Sequence, residues 1–86
     1  MIKGKIKNGF EFKIEEERLD DYELIELLAE ADQNALKIPA VLVAIFGEEQ
    51  KKALVESLRN ENGKVTMTAI NETFLEIMGK VQDIKN

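Results

Sequence analysis

The chain has 86 residues, enough for one small domain, and its 17 acidic against 12 basic residues give a net charge of −5. Cysteine and histidine are both absent, which excludes disulfides, thiolate metal sites and the usual general base. The longest apolar run, Ala40 to Phe46, is far shorter than the about 20 residues that cross a bilayer, and the opening MIKGKIK lacks the apolar segment of a signal peptide. We therefore expect a cytosolic protein with no membrane partner.

The charge is unevenly distributed along the chain. In residues 1–14 four lysines stand against one glutamate, for a sum of +3, whereas residues 15–36 carry nine acids against one arginine, for a sum of −8. In residues 37–86 seven charges of each sign cancel. A chain this acidic is a poor candidate for binding a phosphate backbone, so we expect no nucleic-acid partner.

Apolar and polar residues alternate on both sides of Asn8-Gly9, which predicts a β-hairpin over residues 2–14. A two-residue turn would mix the two faces, but a three-residue turn beginning at Lys7 places every large apolar side chain on one face. That turn ends on a left-handed residue, which suits Gly9. The predicted pairs are Ile6 with Phe10, Lys5 with Glu11, Gly4 with Phe12, Lys3 with Lys13 and Ile2 with Ile14.

A first helix is predicted over residues 20–32, with Asp20 as its N-cap and Glu23 completing a capping box. Its apolar stripe consists of Leu24, Leu27, Leu28 and Ala31.

A second helix is predicted over 39–46, because Pro39 suits a first helical position and Gly47 suits a stop. A helix that is apolar on every side must be covered on every side, either by its own chain or by a partner. A third helix is expected over 48–60, where Leu54, Val55 and Leu58 supply the inner face.

The last predicted helix spans 66–84, capped by Thr66, and its apolar residues recur at alternating steps of three and four. Such a stripe is either core or an interface, and we expect it to support self-association. Candidate partner-binding residues come from this stripe and from the apolar run of the second helix. They are Leu42, Ile45, Phe46, Ile70, Phe74, Ile77, Met78, Val81 and Ile84.

The predicted fold is mostly α (α+β): a single domain over 1–86 in which the hairpin packs on a bundle of about four helices. Nothing in the sequence assembles a catalytic, cofactor or metal site. Ser57 is the only serine and no histidine is present to activate it, while the five glycines are too scattered to cradle a phosphate. We expect a protein that is not an enzyme and that needs no cofactor.

Three blocks of the sequence carry a resemblance that covers nearly the whole chain. They are KIKNGFEFKIEEERLDDYELIELLAE, LVAIFGEEQKKALVESLRNENGKV and INETFLEIMGKVQDIKN. In this order they resemble the small tail assembly chaperones of long-tailed phages and prophages of Gram-positive bacteria. The similarity rests on the order of the blocks, since no single motif among them is catalytic.

The resemblance implies a protein that binds the tape measure protein, keeps it soluble, and gives way as tail tube subunits polymerise around it. It implies a location in the cytoplasm of the bacterial host and absence from the mature virion. The family has no catalytic motif, so no functional residue is carried over to this chain.

Other functions fit the same residues. A small acidic helical adaptor or regulatory protein that masks a partner would have a similar sequence, as would a structural tail component retained in the virion. A DNA-binding helix-turn-helix protein fits the helix lengths but not the charge of those helices.

Overall fold

The computed structural model describes the backbone of residues 1–85 and the side chains of residues 1–83. The predicted mostly helical fold with an N-terminal hairpin is confirmed. In chain order the elements are β1 (Ile2–Lys5), β2 (Glu11–Ile14), α1 (Glu16–Leu19), α2 (Tyr22–Gln33), a 3-10 turn (Ala35–Lys37), α3 (Ile38–Phe46), α4 (Glu48–Ser57) and α5 (Met67–Lys85).

The predicted register of the hairpin is confirmed. Ile2 pairs with Ile14 and Gly4 with Phe12, so the large apolar side chains share one face. The turn closes with the N–H of Gly9 donating to the carbonyl of Ile6 at 2.9 Å, and Gly9 has the left-handed φ of +94° that this turn requires.

Gly4 makes room for the largest side chain of the hairpin. A Cβ at this position would lie 2.5 Å from the ring of Phe12, and that ring is completely buried, with 0% of its surface exposed. Because the Phe12 ring is fully buried, any larger residue at position 4 would force it to shift, so glycine is favoured there.

Both edges of the hairpin are tied to helices by side chains. On β2, the N–H of Lys13 donates to the Gln50 amide oxygen at 2.7 Å, and Nε2 of Gln50 donates back to the Lys13 carbonyl at 2.7 Å. On the turn side of β1, the N–H of Lys7 donates to a Glu76 carboxylate oxygen of α5 at 2.9 Å. Pairing of this kind satisfies edge groups that would otherwise recruit another strand.

The start of α2 differs from the prediction, which placed the cap at Asp20. The N–H of Asp20 is already used at the end of α1, where it donates to the carbonyls of Glu16 and Glu17 at 3.2 and 3.3 Å. The carboxylate of Asp21 caps α2 instead, accepting the N–H two residues later at 2.9 Å. The link between the hairpin and α2 is therefore itself a helical turn. The sequence did not predict this turn, because a run of charges at residues 15–17 is equally typical of a solvated linker.

Helix α3 lies at the centre of the fold and packs against β2, α1, α2 and α4. Val41, Leu42, Ile45 and Phe46 are buried. Its C-terminal end accepts a cation: Nη1 of Arg18 donates to the carbonyl of Ala44 at 3.2 Å, a favourable position for positive charge.

The last two helices follow the predicted order with shifted ends. α4 stops at Ser57, where the predicted helix continued to residue 60, and a compact loop built on the side chain of Asn60 follows. Next to it, hydrogen bonding to Arg59 lowers the pKa of Glu56 from its ordinary value. Thr66 caps α5 as predicted, since its hydroxyl accepts the N–H of Ala69 at 3.1 Å.

Gly4→Ala should lower the free energy of unfolding by about 1–3 kcal/mol, because the added methyl group overlaps the buried Phe12 ring. Gly79→Ala is the matched control: nothing lies within 4 Å of the added atom, and alanine is favoured over glycine inside a helix by about 0.5–1 kcal/mol. Urea denaturation of both variants measures the two effects, and equal stability of the two would contradict the packing described.

Gln50→Ala should expose the backbone of Lys13 to solvent exchange, because its N–H loses the amide oxygen that it contacts at 2.7 Å. Amide hydrogen exchange followed by NMR reads this residue directly. Gln82→Ala, at an exposed position of α5, is the control and should leave the Lys13 amide protected. Unchanged protection in Gln50→Ala would show that the bond does not form in solution.

Candidate functional site

The structure places most of the predicted partner-binding residues inside the protein. Six of them are at most 9% exposed and belong to the core: Leu42, Ile45, Phe46, Ile70, Ile77 and Val81. In this conformation they offer no surface to a partner, because the hairpin and the helices of the same chain cover them. Phe74 and Met78 are half-buried, and the side chain of Ile84 lies outside the described residues. Self-association through this stripe stays a prediction. The buried residues of the stripe have no exposed surface with which a second copy could make contact.

An apolar groove of about 370 Å³ opens between α2 and α5. Its floor is the first turns of α3, and its lining includes one of the predicted residues, Phe74. The lining residues are Leu28, Ala31, Asp32, Ile38, Val41, Asn71, Phe74 and Leu75. We refer to this feature as the α2–α5 groove.

The groove exists because its two walls are held by different parts of the fold. Helix α2 packs against α3, whereas α5 packs against β1. Neither α2 nor α5 fully covers the N-terminal part of α3, where Ile38 is only half-buried and Ala40 is exposed.

Exposed apolar side chains surround the groove. Leu75 is 70% exposed on the α5 wall. On α2, Ile25 is 57% exposed and precedes the lining residue Leu28 by three positions, so the two are neighbours on the helix surface. Tyr22, three positions further back, is 70% exposed and continues the same row. Large apolar residues exposed in a row indicate a contact surface.

Helix α2 is strongly acidic, but its acidic residues differ in which face they occupy. Asp32 lines the groove, whereas Glu23, Glu26 and Glu30 are exposed on the opposite face of the same helix, because successive residues are about 100° apart around its axis. The side chain of Lys37 approaches Glu30 at 4.0 Å. The α5 wall contributes the neutral Asn71, so Asp32 is the charged residue of the lining.

A second depression, of about 630 Å³, lies between the hairpin turn and α5, and Leu75 forms the ridge between the two. Several of its polar groups bond to one another or to α4: the N–H of Lys7 donates to Glu76, and the side chain of Asn8 donates to Ser57. Because these bonds fix the hairpin on the helices, we assign the second depression to the architecture and keep the α2–α5 groove as the candidate site.

Among residues 1–83 no group of three or more acidic side chains is placed to hold a metal ion. The hydroxyl of Ser57 donates to the carbonyl of Leu54 at 2.7 Å and thus serves the end of α4. Within the part of the chain that the structure describes, no helix combines the length and the apolar character needed to cross a membrane.

Sequence reasoning missed Leu75 as a surface residue and treated Leu28 and Ala31 as core only. A signal for Leu75 was present: it follows Phe74 directly and therefore lies 100° away from the stripe that α5 buries. An apolar residue off the buried stripe of a helix has no place in the core and is available to a partner.

Comparison with known proteins gives no match: no family model, no curated protein and no solved structure resembles this chain significantly.

Ile77→Asp and Leu75→Asp, two positions apart on α5, should separate core from surface. Ile77 is 0% exposed, so an aspartate there is an unpaired buried charge that costs about 4 kcal/mol or more and leaves the chain largely unfolded. Leu75→Asp should cost about 1 kcal/mol or less. Circular dichroism during urea titration measures both, and a folded Ile77→Asp variant would contradict the assignment of this stripe to the core.

Proposed function

We propose that this chain is a phage or prophage tail assembly chaperone. It binds the tape measure protein, keeps it soluble, and helps to recruit tail tube subunits during tail morphogenesis. It acts in the cytoplasm of the bacterial host and is not retained in the mature virion. Binding uses apolar contact alone, with no bond made or broken.

The observation that carries this proposal is the α2–α5 groove, an apolar surface left open in an otherwise charged molecule. A long helical tape measure protein has apolar stripes that aggregate if they stay bare. A groove lined by Leu28, Phe74 and Leu75 can cover part of such a stripe, as helix-binding grooves do in other proteins.

The acidic segment supports the second part of this activity. Residues 15–36 carry a net charge of −8, and the acids of α2 are exposed. Chaperone molecules bound along one tape measure protein would repel one another and keep the complex from associating further. Competition from polymerising tail tube subunits is sufficient for release, so the cycle requires no nucleotide.

The choice of the tape measure protein as the partner in this proposal comes from the resemblance to tail assembly chaperones. The groove by itself suits a small acidic adaptor that masks some other protein equally well, so the identity of the partner separates the two functions.

Co-expression with the tape measure protein encoded in the same gene cluster tests the proposal. We expect the tape measure protein to remain in the supernatant with this chain and to sediment without it. Leu75→Asp should abolish the rescue, because it places a charge in the apolar lining. Leu36→Asp is the matched control: Leu36 is 86% exposed, lies outside the groove lining, and should rescue like the unmodified chain.

An insoluble tape measure protein in the presence of the unmodified, folded chain would overturn the chaperone function. The chain among the proteins of purified virions, detected by mass spectrometry, would show a structural tail component instead.

A further inference from the structure

We propose that Asn62 is a site of spontaneous deamidation in the folded protein, whereas the fold protects Asn8 from the same reaction. These are the two asparagines of the chain that are followed by glycine. The reaction needs only water, so it goes beyond the proposed function and is independent of any partner.

Deamidation of an asparagine uses the backbone of the next residue. The backbone nitrogen of that residue attacks Cγ of the carboxamide, and the new N–Cγ bond closes a succinimide ring. The side-chain nitrogen leaves as ammonia, together with the proton that the backbone nitrogen gives up. Water then opens the ring at one of its carbonyl carbons, which yields aspartate or isoaspartate. Glycine after the asparagine permits the attack best, because it has no Cβ beside the reacting nitrogen.

The backbone does not distinguish the two Asn-Gly steps. Both asparagines and both glycines are exposed, and nothing lies within 4 Å of a Cβ built on either glycine. Each attacking nitrogen is the donor of a turn: the N–H of Gly9 donates to the carbonyl of Ile6 at 2.9 Å. In the same way the N–H of Gly63 donates to the carbonyl of Asn60 at 2.9 Å. A difference in reactivity must therefore come from the carboxamides.

The carboxamide of Asn8 is held at both ends. Its Nδ2 donates to the carbonyl oxygen and to the hydroxyl oxygen of Ser57, each at 3.2 Å. Its Oδ1 accepts the N–H of Phe10 at 2.9 Å. These bonds must break before Cγ can turn toward the attacking nitrogen, and two of them join the hairpin to the end of α4. The tertiary structure therefore protects this side chain.

The carboxamide of Asn62 has no such restraint. The loop between α4 and α5 is closed by other groups: Oδ1 of Asn60 accepts the N–H of Asn62 at 2.9 Å and that of Lys64 at 3.0 Å. Nη1 of Arg59 donates to the carbonyl of Gly63 at 2.7 Å. Among the side chains of residues 1–83, none forms a hydrogen bond with the Asn62 carboxamide. It is free to turn at an exposed loop tip, where water reaches the ring that forms.

The reaction changes both the charge and the backbone of this loop. Each event adds one negative charge to the net charge of −5. Isoaspartate also adds a methylene group to the main chain between Asn62 and Gly63. That position lies inside the ring that the N–H of Asn60 closes on the carbonyl of Lys64 at 2.8 Å, so the bonds that close the loop lose their geometry.

Peptide mapping of the purified chain during prolonged incubation at physiological temperature tests the inference. Replacement of the carboxamide NH₂ by OH raises the mass, and chromatography separates isoaspartyl from aspartyl peptides. Asn62 should react at least about tenfold faster than Asn8, because several hydrogen bonds must break only at Asn8. In denaturing urea, where neither loop persists, the two sites should react at similar rates. Equal rates in the folded chain, faster reaction at Asn8, no product at either site, or the same preference in urea would overturn the inference.

Two variants separate the causes. Ser57→Ala removes one partner of the Asn8 carboxamide and should raise the rate at Asn8, while the rate at Asn62 stays unchanged as an internal reference. An unchanged rate at Asn8 would contradict the protection assigned to this bond. Asn62→Asp carries the charge of the product on a normal backbone. The isoaspartyl form should displace the amide NMR signal of Lys64 further than this variant does, and equal displacement would contradict the predicted change of the loop.

Discussion

The need to cover α3 determines the rest of this structure. The helix consists almost entirely of apolar residues, and a small chain must surround it with the few elements it has. The hairpin supplies one cover, with Phe12 and Ile14 fully buried on its inner face. Side chains fix that cover in place: Gln50 of α4 pairs with the backbone of β2, and Arg18 binds the carbonyl end of α3. A hairpin that is marginal alone is thereby made part of the core.

The cover is incomplete at one place, and that place is the candidate binding site. Helix α5 buries its heptad stripe in the core and packs against β1. It therefore does not cover the first turns of α3. The apolar residues that remain open lie off the buried stripes, Leu75 on α5 and Ile25 on α2. The same arrangement that stabilises the fold therefore leaves an apolar groove open between α2 and α5.

Local rules predicted the fold well. The requirement that the apolar residues of the hairpin share one face predicted the register of β1 and β2. Pro39 and Gly47 predicted the two ends of α3, and Thr66 predicted the start of α5. They did not predict the site, for a physical reason. Periodicity reveals which residues of a helix are apolar, but it cannot tell which neighbouring helix will cover them. Phe74, named as a candidate on this basis, lines the groove, whereas Ile77, on the same stripe, is wholly internal. The helical turn α1 was not predicted, because its glutamates are equally typical of a solvated linker.

Carbene footprinting of this chain, free and in complex with the tape measure protein from its gene cluster, tests the central claim most directly. The account predicts reduced labelling at Leu75, Phe74 and Ile25, with unchanged labelling at the exposed Leu36 and continued protection of the buried Ile77. New labelling of Ile77, or protection restricted to the hairpin lysines, would contradict it, because the chain would then bind by opening its core or through another face.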